Sequence, residues 1–146
     1  MKQQLTIDPL DAHSLTQLAM DKANDIGVPM CIAVVDASCN LLSFVRMDGG
    51  KHHSANVAMD KAYTAASAKR RTVEIGPLAQ PNGPLFGIFT QQGGRFCIVG
   101  GGVPLWQDGQ CVGGIGISSG TVDQDIAVAE YAVEQWTQMQ HTSQCA

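Results

Sequence analysis

The sequence predicts an α+β domain: a central antiparallel sheet of five strands with helices packed on it. Three observations point there. Five short runs carry β-branched or aromatic residues: CIAVVD (31–36), NLLSFVRMD (40–48), RFCIVG (95–100), VPLWQ (103–107) and CVGGIGIS (111–118). Hairpin-sized gaps separate several of them, which favours antiparallel pairing over crossovers. Three longer segments have apolar residues at helical spacing, and they bracket the strands in the order helix, two strands, helix, three strands, helix. At 146 residues, residues 1–146 read as one domain with one core.

Asp8 caps the first helix, with Pro9 at its first position, where a missing N–H costs nothing. Leu15, Leu18, Ala19, Ala23 and Ile26 then recur at helical spacing, and Gly27 ends the helix. Between the first two strands lies Ala37-Ser38-Cys39-Asn40, and Gly49-Gly50 closes the second. Ser54 is the expected cap of SANVAMDKAYTAASAKR, whose Ala58, Ala62 and Ala65 form a narrow stripe. Small side chains let a helix approach its neighbour closely, so this helix belongs deep in the fold or at a subunit interface.

From Arg71 to Gly94, repeated proline and glycine predict a long loop with a short helical turn near 84–90. Asp108-Gly109 marks a hairpin between the last two strands. Thr121-Val122-Asp123-Gln124 is a T-x-x-Q capping box opening the final helix, which carries Val122, Ile126, Ala129, Val133 and Trp136 on one face.

Composition excludes several functions. A net charge of −4 argues against a nucleic-acid groove, and Lys69-Arg70-Arg71 reads as a helix-end feature. No stretch approaches the roughly 20 apolar residues of a membrane span. MKQQLTIDPLD lacks a signal-peptide core, so the chain reads as cytoplasmic. Five cysteines without C-x-x-C spacing read as reduced thiols, with no dedicated metal site.

GISSG (116–120) matches the G-x-S-x-G pattern of hydrolase nucleophiles. Such a serine needs an acid and a histidine following it on a parallel sheet. Only His141 follows Ser118, roughly 30 Å away at about 1.5 Å per helical residue. Helix-start geometry accounts for these residues unaided. A third role is also open: Ser118, Ser119 and Thr121 hydroxyls, with free N–H groups, suit an anion such as a carboxylate.

Taken together, AVVD (33–36), LLSFVRMDG (41–49), SANVAMDKAYTAA (54–66), GGGVPLWQDG (100–109) and GGIGISSGTVDQD (113–125) resemble the GlcG/HbpS/PduO C-terminal family, described as haem-binding or haem-degrading. The resemblance runs over roughly residues 8–140. It implies a profilin-like sandwich, homo-oligomers that are commonly octamers, haem binding in some members, and settings in glycolate, glycerol or propanediol metabolism. Two positions depart from the family's pattern. Cys39 stands at a usual glycine, which would pass the left-handed conformation to Asn40, and Ser119 replaces a turn glycine.

Imidazole is a common axial ligand of haem iron, so His52 and His53, in GGKHHS, are candidate ligands or else exposed loop residues. Arg46 would hold a propionate or small acid through its planar fork, or pair with Asp48 or a neighbouring subunit. Lys61 reads as a carboxylate binder, or as a snorkelling or buried lysine paired with Asp36 or Asp48.

The resulting expectation is a small-ligand binding homo-oligomer with haem as the candidate cofactor. Its cleft would lie between the His52-His53 loop, the start of the second helix and the 118–121 turn. The alternative is an auxiliary oligomer that binds a small carboxylate or a partner protein without catalysis. No catalytic residue is assigned, because paired carboxylates, an activated nucleophile and a metal motif are all missing from the sequence.

Overall fold

A computed structural model describes residues 1–146. In chain order the elements are α1 (Pro9–Ile26), β1 (Cys31–Asp36), β2 (Leu41–Arg46), α2 (Ser54–Ala68), α3 (Thr72–Ile75), β3 (Gly102–Gln107), β4 (Gln110–Ser118) and α4 (Val122–Gln144). Short 3₁₀ turns occupy Gly76–Ala79 and Ile88–Gly94. The sheet has four strands in the order β2-β1-β4-β3, and every pair is antiparallel.

The expected fifth strand, RFCIVG, is not in the sheet. Its polar groups are engaged by α2 instead. Thr64 Oγ1 accepts the Cys97 N–H at 2.8 Å and lies 3.3 Å from the Arg95 carbonyl. The Arg95 guanidinium sits 4.0 Å from the Tyr63 ring centroid and pairs with Asp60 at 3.5 Å. With those bonds made, residues 95–97 run along the helix with no strand ladder to join.

Both long terminal helices start as their sequences require. The Asp11 N–H donates to Asp8 Oδ1 at 2.9 Å and the Asp8 N–H to Asp11 Oδ2 at 3.3 Å. At α4 the Thr121 N–H reaches Gln124 Oε1 at 2.9 Å and the Gln124 N–H reaches Thr121 Oγ1 at 3.2 Å. Each cap satisfies two helix-end groups at once. Gly27 ends α1 in the left-handed conformation.

Two local expectations fail. Ser54 is not the α2 cap: the preceding His53 already has helical dihedrals, and the Lys51 and His52 carbonyls accept the N–H groups of Ser54 and Ala55. The left-handed residue after β1 is Cys39 (φ 66°) and not Asn40. Asp36 Oδ1 accepts the N–H of both Ser38 and Asn40 at 2.9 Å, and that Asx turn puts the reversal on residue 39.

The central strands β1 and β4 bury both faces. On one, Ile32, Val34, Ile115 and Ile117 pack with Leu15 and Ala19 of α1 and Val128 and Ala132 of α4. Each fully buried isoleucine there contributes about 2–3 kcal/mol. On the other, Cys31, Ala33 and Val35 meet Ala58, Ala62 and Ala66 of α2.

The expected stripe of Ala58, Ala62 and Ala65 is therefore buried within the chain, with Ala66 in place of Ala65 against the strands, and β4 answers it with glycine. A Cβ at Gly116 would lie 2.0 Å from the Ala58 carbonyl oxygen, one at Gly114 2.7 Å from the Ala62 oxygen, and one at Gly102 of β3 2.5 Å from the Lys61 oxygen. Gly116→Ala is expected to cost about 3 kcal/mol or more in urea unfolding, since helix and strand backbones must part. Ile115→Val, on the opposite face, is expected to cost only about 1 kcal/mol.

Candidate functional site

The residues singled out in the sequence lie around one end of the sheet, where β1 begins opposite the end of β4, with Cys31 paired to Ser118. Arg46 ends β2 with an exposed side chain, and its Nη1 donates to the Gly50 carbonyl at 3.2 Å. The chain then turns tightly. Gly50 N–H bonds the Met47 carbonyl at 2.8 Å, and a Cβ at Gly50 would meet the Met47 oxygen at 3.0 Å and Arg46 Cγ at 3.1 Å. Lys51, His52 and His53 follow, all exposed.

One hydrogen bond joins this loop to the β4–α4 turn: the Lys51 N–H donates to Ser119 Oγ at 3.0 Å. From below, Cys31 Sγ donates to the Lys51 carbonyl at 3.6 Å. Ser119 holds its place with φ 101°, a backbone conformation favoured by glycine. Its hydroxyl supplies what glycine lacks, the acceptor for Lys51. Ser119→Ala should cost about 1 kcal/mol and speed exchange of the Lys51 amide hydrogen, read by NMR.

Behind the turn lies a buried ion pair. Lys61 Nζ, 1% exposed as a side chain, donates to Asp125 Oδ2 at 2.9 Å and to the Ile117 carbonyl at 2.8 Å. Asp125 Oδ1 accepts the Gly120 N–H at 3.0 Å. The pair ties α2 to the end of β4 and to the first turn of α4. Burial pushes the Asp125 carboxyl above its ordinary range, opposed by the hydrogen bond and charge of Lys61, the Gly120 N–H and the more distant Lys51 charge. Burial also raises the Cys31 thiol, against the Arg46 charge.

Lys61 is thus paired with Asp125 and with neither Asp36 nor Asp48, and it stands sealed beneath the surface it was expected to line. Ser118 is buried as the last residue of β4, and Thr121 spends its hydroxyl on the α4 cap. His141 lies in the last turns of the unbroken α4, so Ser118 has no base. Arg46, His52 and His53 remain together on the surface loop, joined by Lys51, which the sequence reading passed over.

An open cleft between this loop and the 118–121 turn is not present, because the Lys51–Ser119 bond closes the gap. The concavities of the single chain lie elsewhere. One of about 200 Å³ is floored by Ile7, Val112 and Trp136, and one of about 450 Å³ adjoins Gly27, Pro29, Met47 and Asp48. No three His, Cys, Asp or Glu side chains converge as a metal set. No helix is long and apolar enough to cross a membrane.

Comparison with known proteins matches the architecture. A family model described as "Haem degrading protein HbpS-like" aligns with residues 7–134. The chain belongs to this HbpS-like family. It is 37% identical over 123 residues to the corrinoid adenosyltransferase PduO of Salmonella typhimurium, a match covering 84% of this chain but only 37% of that protein. The chain thus spans little more than a third of that curated relative. The crystal structure of the Klebsiella pneumoniae protein ORFY is 34% identical, covers 94% of both chains and superposes with a TM-score of 0.92. The crystal structure of a PduOC:haem complex is 35% identical, covers 89% of this chain and 94% of that one, and has a TM-score of 0.86.

The Lys61–Asp125 pair gives the HbpS-like fold a sharp test. Lys61→Met and Asp125→Asn should each cost about 3–5 kcal/mol in denaturant unfolding by stranding the buried partner. The double variant should recover much of that loss, because no lone charge is left inside.

Proposed function

We propose that this chain is a non-catalytic binding module for haem. The site is the loop surface formed by Arg46, Lys51, His52 and His53. The observation that carries the reading is the Lys51–Ser119 hydrogen bond, which fastens a loop bearing two imidazoles and two cations to the end of the sheet. The donor chemistry fits the group: an imidazole from His52 or His53 for the iron, and Arg46 and Lys51 for the propionates. Bound haem would supply an iron centre and a broad apolar plane. Ser118, Thr121 and Lys61 would act from behind, by holding the turn against which the loop rests.

The PduOC:haem complex supports this reading by its likeness over most of the chain. The surface is not recessed, so a flat ligand seated on it needs cover from a second copy. Homo-oligomerisation is therefore part of the proposal, with the octamer implied by the family resemblance as the expected assembly. The alanine stripe no longer argues for it, being buried within the chain. A setting in polyol or organic-acid metabolism follows from the same resemblance.

Haemin titration of the purified protein should produce a shifted Soret band that is lost in His52→Ala/His53→Ala. Arg46→Ala should weaken binding about ten-fold, as removal of one charge-assisted contact does. No Soret shift, or a shift unchanged in the double variant, would overturn the site. The second reading is an auxiliary oligomer that holds a small carboxylate at the same two cations, favoured by the exposed Arg46 beside Lys51. It predicts an intact assembly by light scattering with no haem response. Loss of bound haem in the presence of reductant and oxygen, faster than for free haem, would replace binding with degradation.

A further inference from the structure

A different part of the molecule carries an unassigned cavity. Between the N-terminal segment and the β3–β4 hairpin lies a hollow of about 480 Å³, lined by Lys2, Gln4, Lys69, Trp106, Gln110 and Cys111 among others. That volume suits a ligand of nucleotide size. One wall is held in place by the Leu5 N–H, which donates to Gln110 Oε1 at 3.4 Å.

Three features point to the chemistry of its occupant. Trp106 is 44% exposed, whereas the other tryptophan, Trp136, is 2% exposed and its indole N–H is bonded to Asp11. The ring of Trp106 is thus a large aromatic surface left bare at the hollow. Lys2 and Lys69 both line it, no acidic residue does, and neither lysine takes part in any ion pair of the chain.

Lys69 also ends α2 in the left-handed conformation (φ 55°), at a position where glycine is the usual and less strained choice. Its charge reaches the floor of the hollow, opposing the rise that burial imposes on the Cys111 thiol.

We infer that this hollow binds a flat heteroaromatic group carrying a phosphate monoester. The ring would stack on Trp106 and the phosphate would sit between Lys2 and Lys69. Two compact ammonium charges match a phosphate dianion in charge, lysine being an established phosphate partner as a point charge. The glutamine amides offer donors and acceptors to the ring edge. The site is independent of the haem reading, because it lies at the hairpin and not at the histidine loop.

Adenosine 5′-monophosphate is the probe, with adenosine and inorganic phosphate as separate arms. Calorimetry should show saturable binding of the monophosphate, accompanied by quenching of tryptophan emission, with both control arms at least about ten-fold weaker. Lys69→Gly isolates the charge, because glycine relieves the left-handed strain. That variant should melt at the same temperature or higher and yet bind the monophosphate about ten-fold more weakly. No saturable heat at millimolar monophosphate, or equal affinity in Lys69→Gly, overturns the site. Equal binding of inorganic phosphate overturns the stacking. A haemin Soret shift lost in Lys69→Gly would move the haem here and overturn the phosphate assignment, whereas one lost only in the histidine variants leaves both sites standing.

Discussion

The structure hangs on how closely α2 lies against the sheet. Gly114 and Gly116 of β4 and Gly102 of β3 meet the backbone of α2 itself, at separations where even a methyl group would collide with a carbonyl oxygen. Ala58, Ala62 and Ala66 complete the contact from the helix side. Such a junction gains little from side-chain burial and much from dense backbone packing, which forfeits its contacts quickly if the surfaces separate. Everything at the sheet end inherits that precision. Lys61 reaches Asp125 because its helix is close, and Asp125 in turn holds the Gly120 N–H.

The loop and turn are therefore bonded to each other and to the layer beneath. Lys61 and Asp125 brace the turn from inside, Ser119 hands an acceptor to Lys51, and Cys31 supports the same loop from the first strand. The backbone that leads into His52 and His53 is thereby tied at Lys51 to the β4–α4 turn, while the two imidazoles stay exposed.

Much of the fold was legible in the sequence because its signals are local. The Asp8 cap, the Thr121–Gln124 capping box, the Gly27 stop, the Asp-Gly hairpin and four of the strands depend on residues within a few positions of one another. RFCIVG misled because its strand-like composition says nothing of Thr64, about 30 positions earlier, which claims its backbone. The alanine stripe announced a close contact without naming the partner surface. At the site, the sequence pointed to Arg46, His52 and His53, which the fold leaves exposed near the end of β2, and it left Lys61 open between a carboxylate binder and a buried pair, of which the fold makes the second. It missed Asp125 because an acid in the first turn of a helix already has a sufficient explanation in the helix dipole. It missed Ser119 as a clamp because only the fold brings Lys51 to it.

The internal lysine–aspartate bridge also bears on how the family's history should be read. Either partner replaced alone leaves a stranded charge costing several kcal/mol, a large fraction of the roughly 5–15 kcal/mol by which a domain of this size is stable. Losing that arrangement is less costly through two changes together than through either alone, whatever the molecule is used for. Invariance at positions 61 and 125 among relatives would then record architecture and not selection by a ligand.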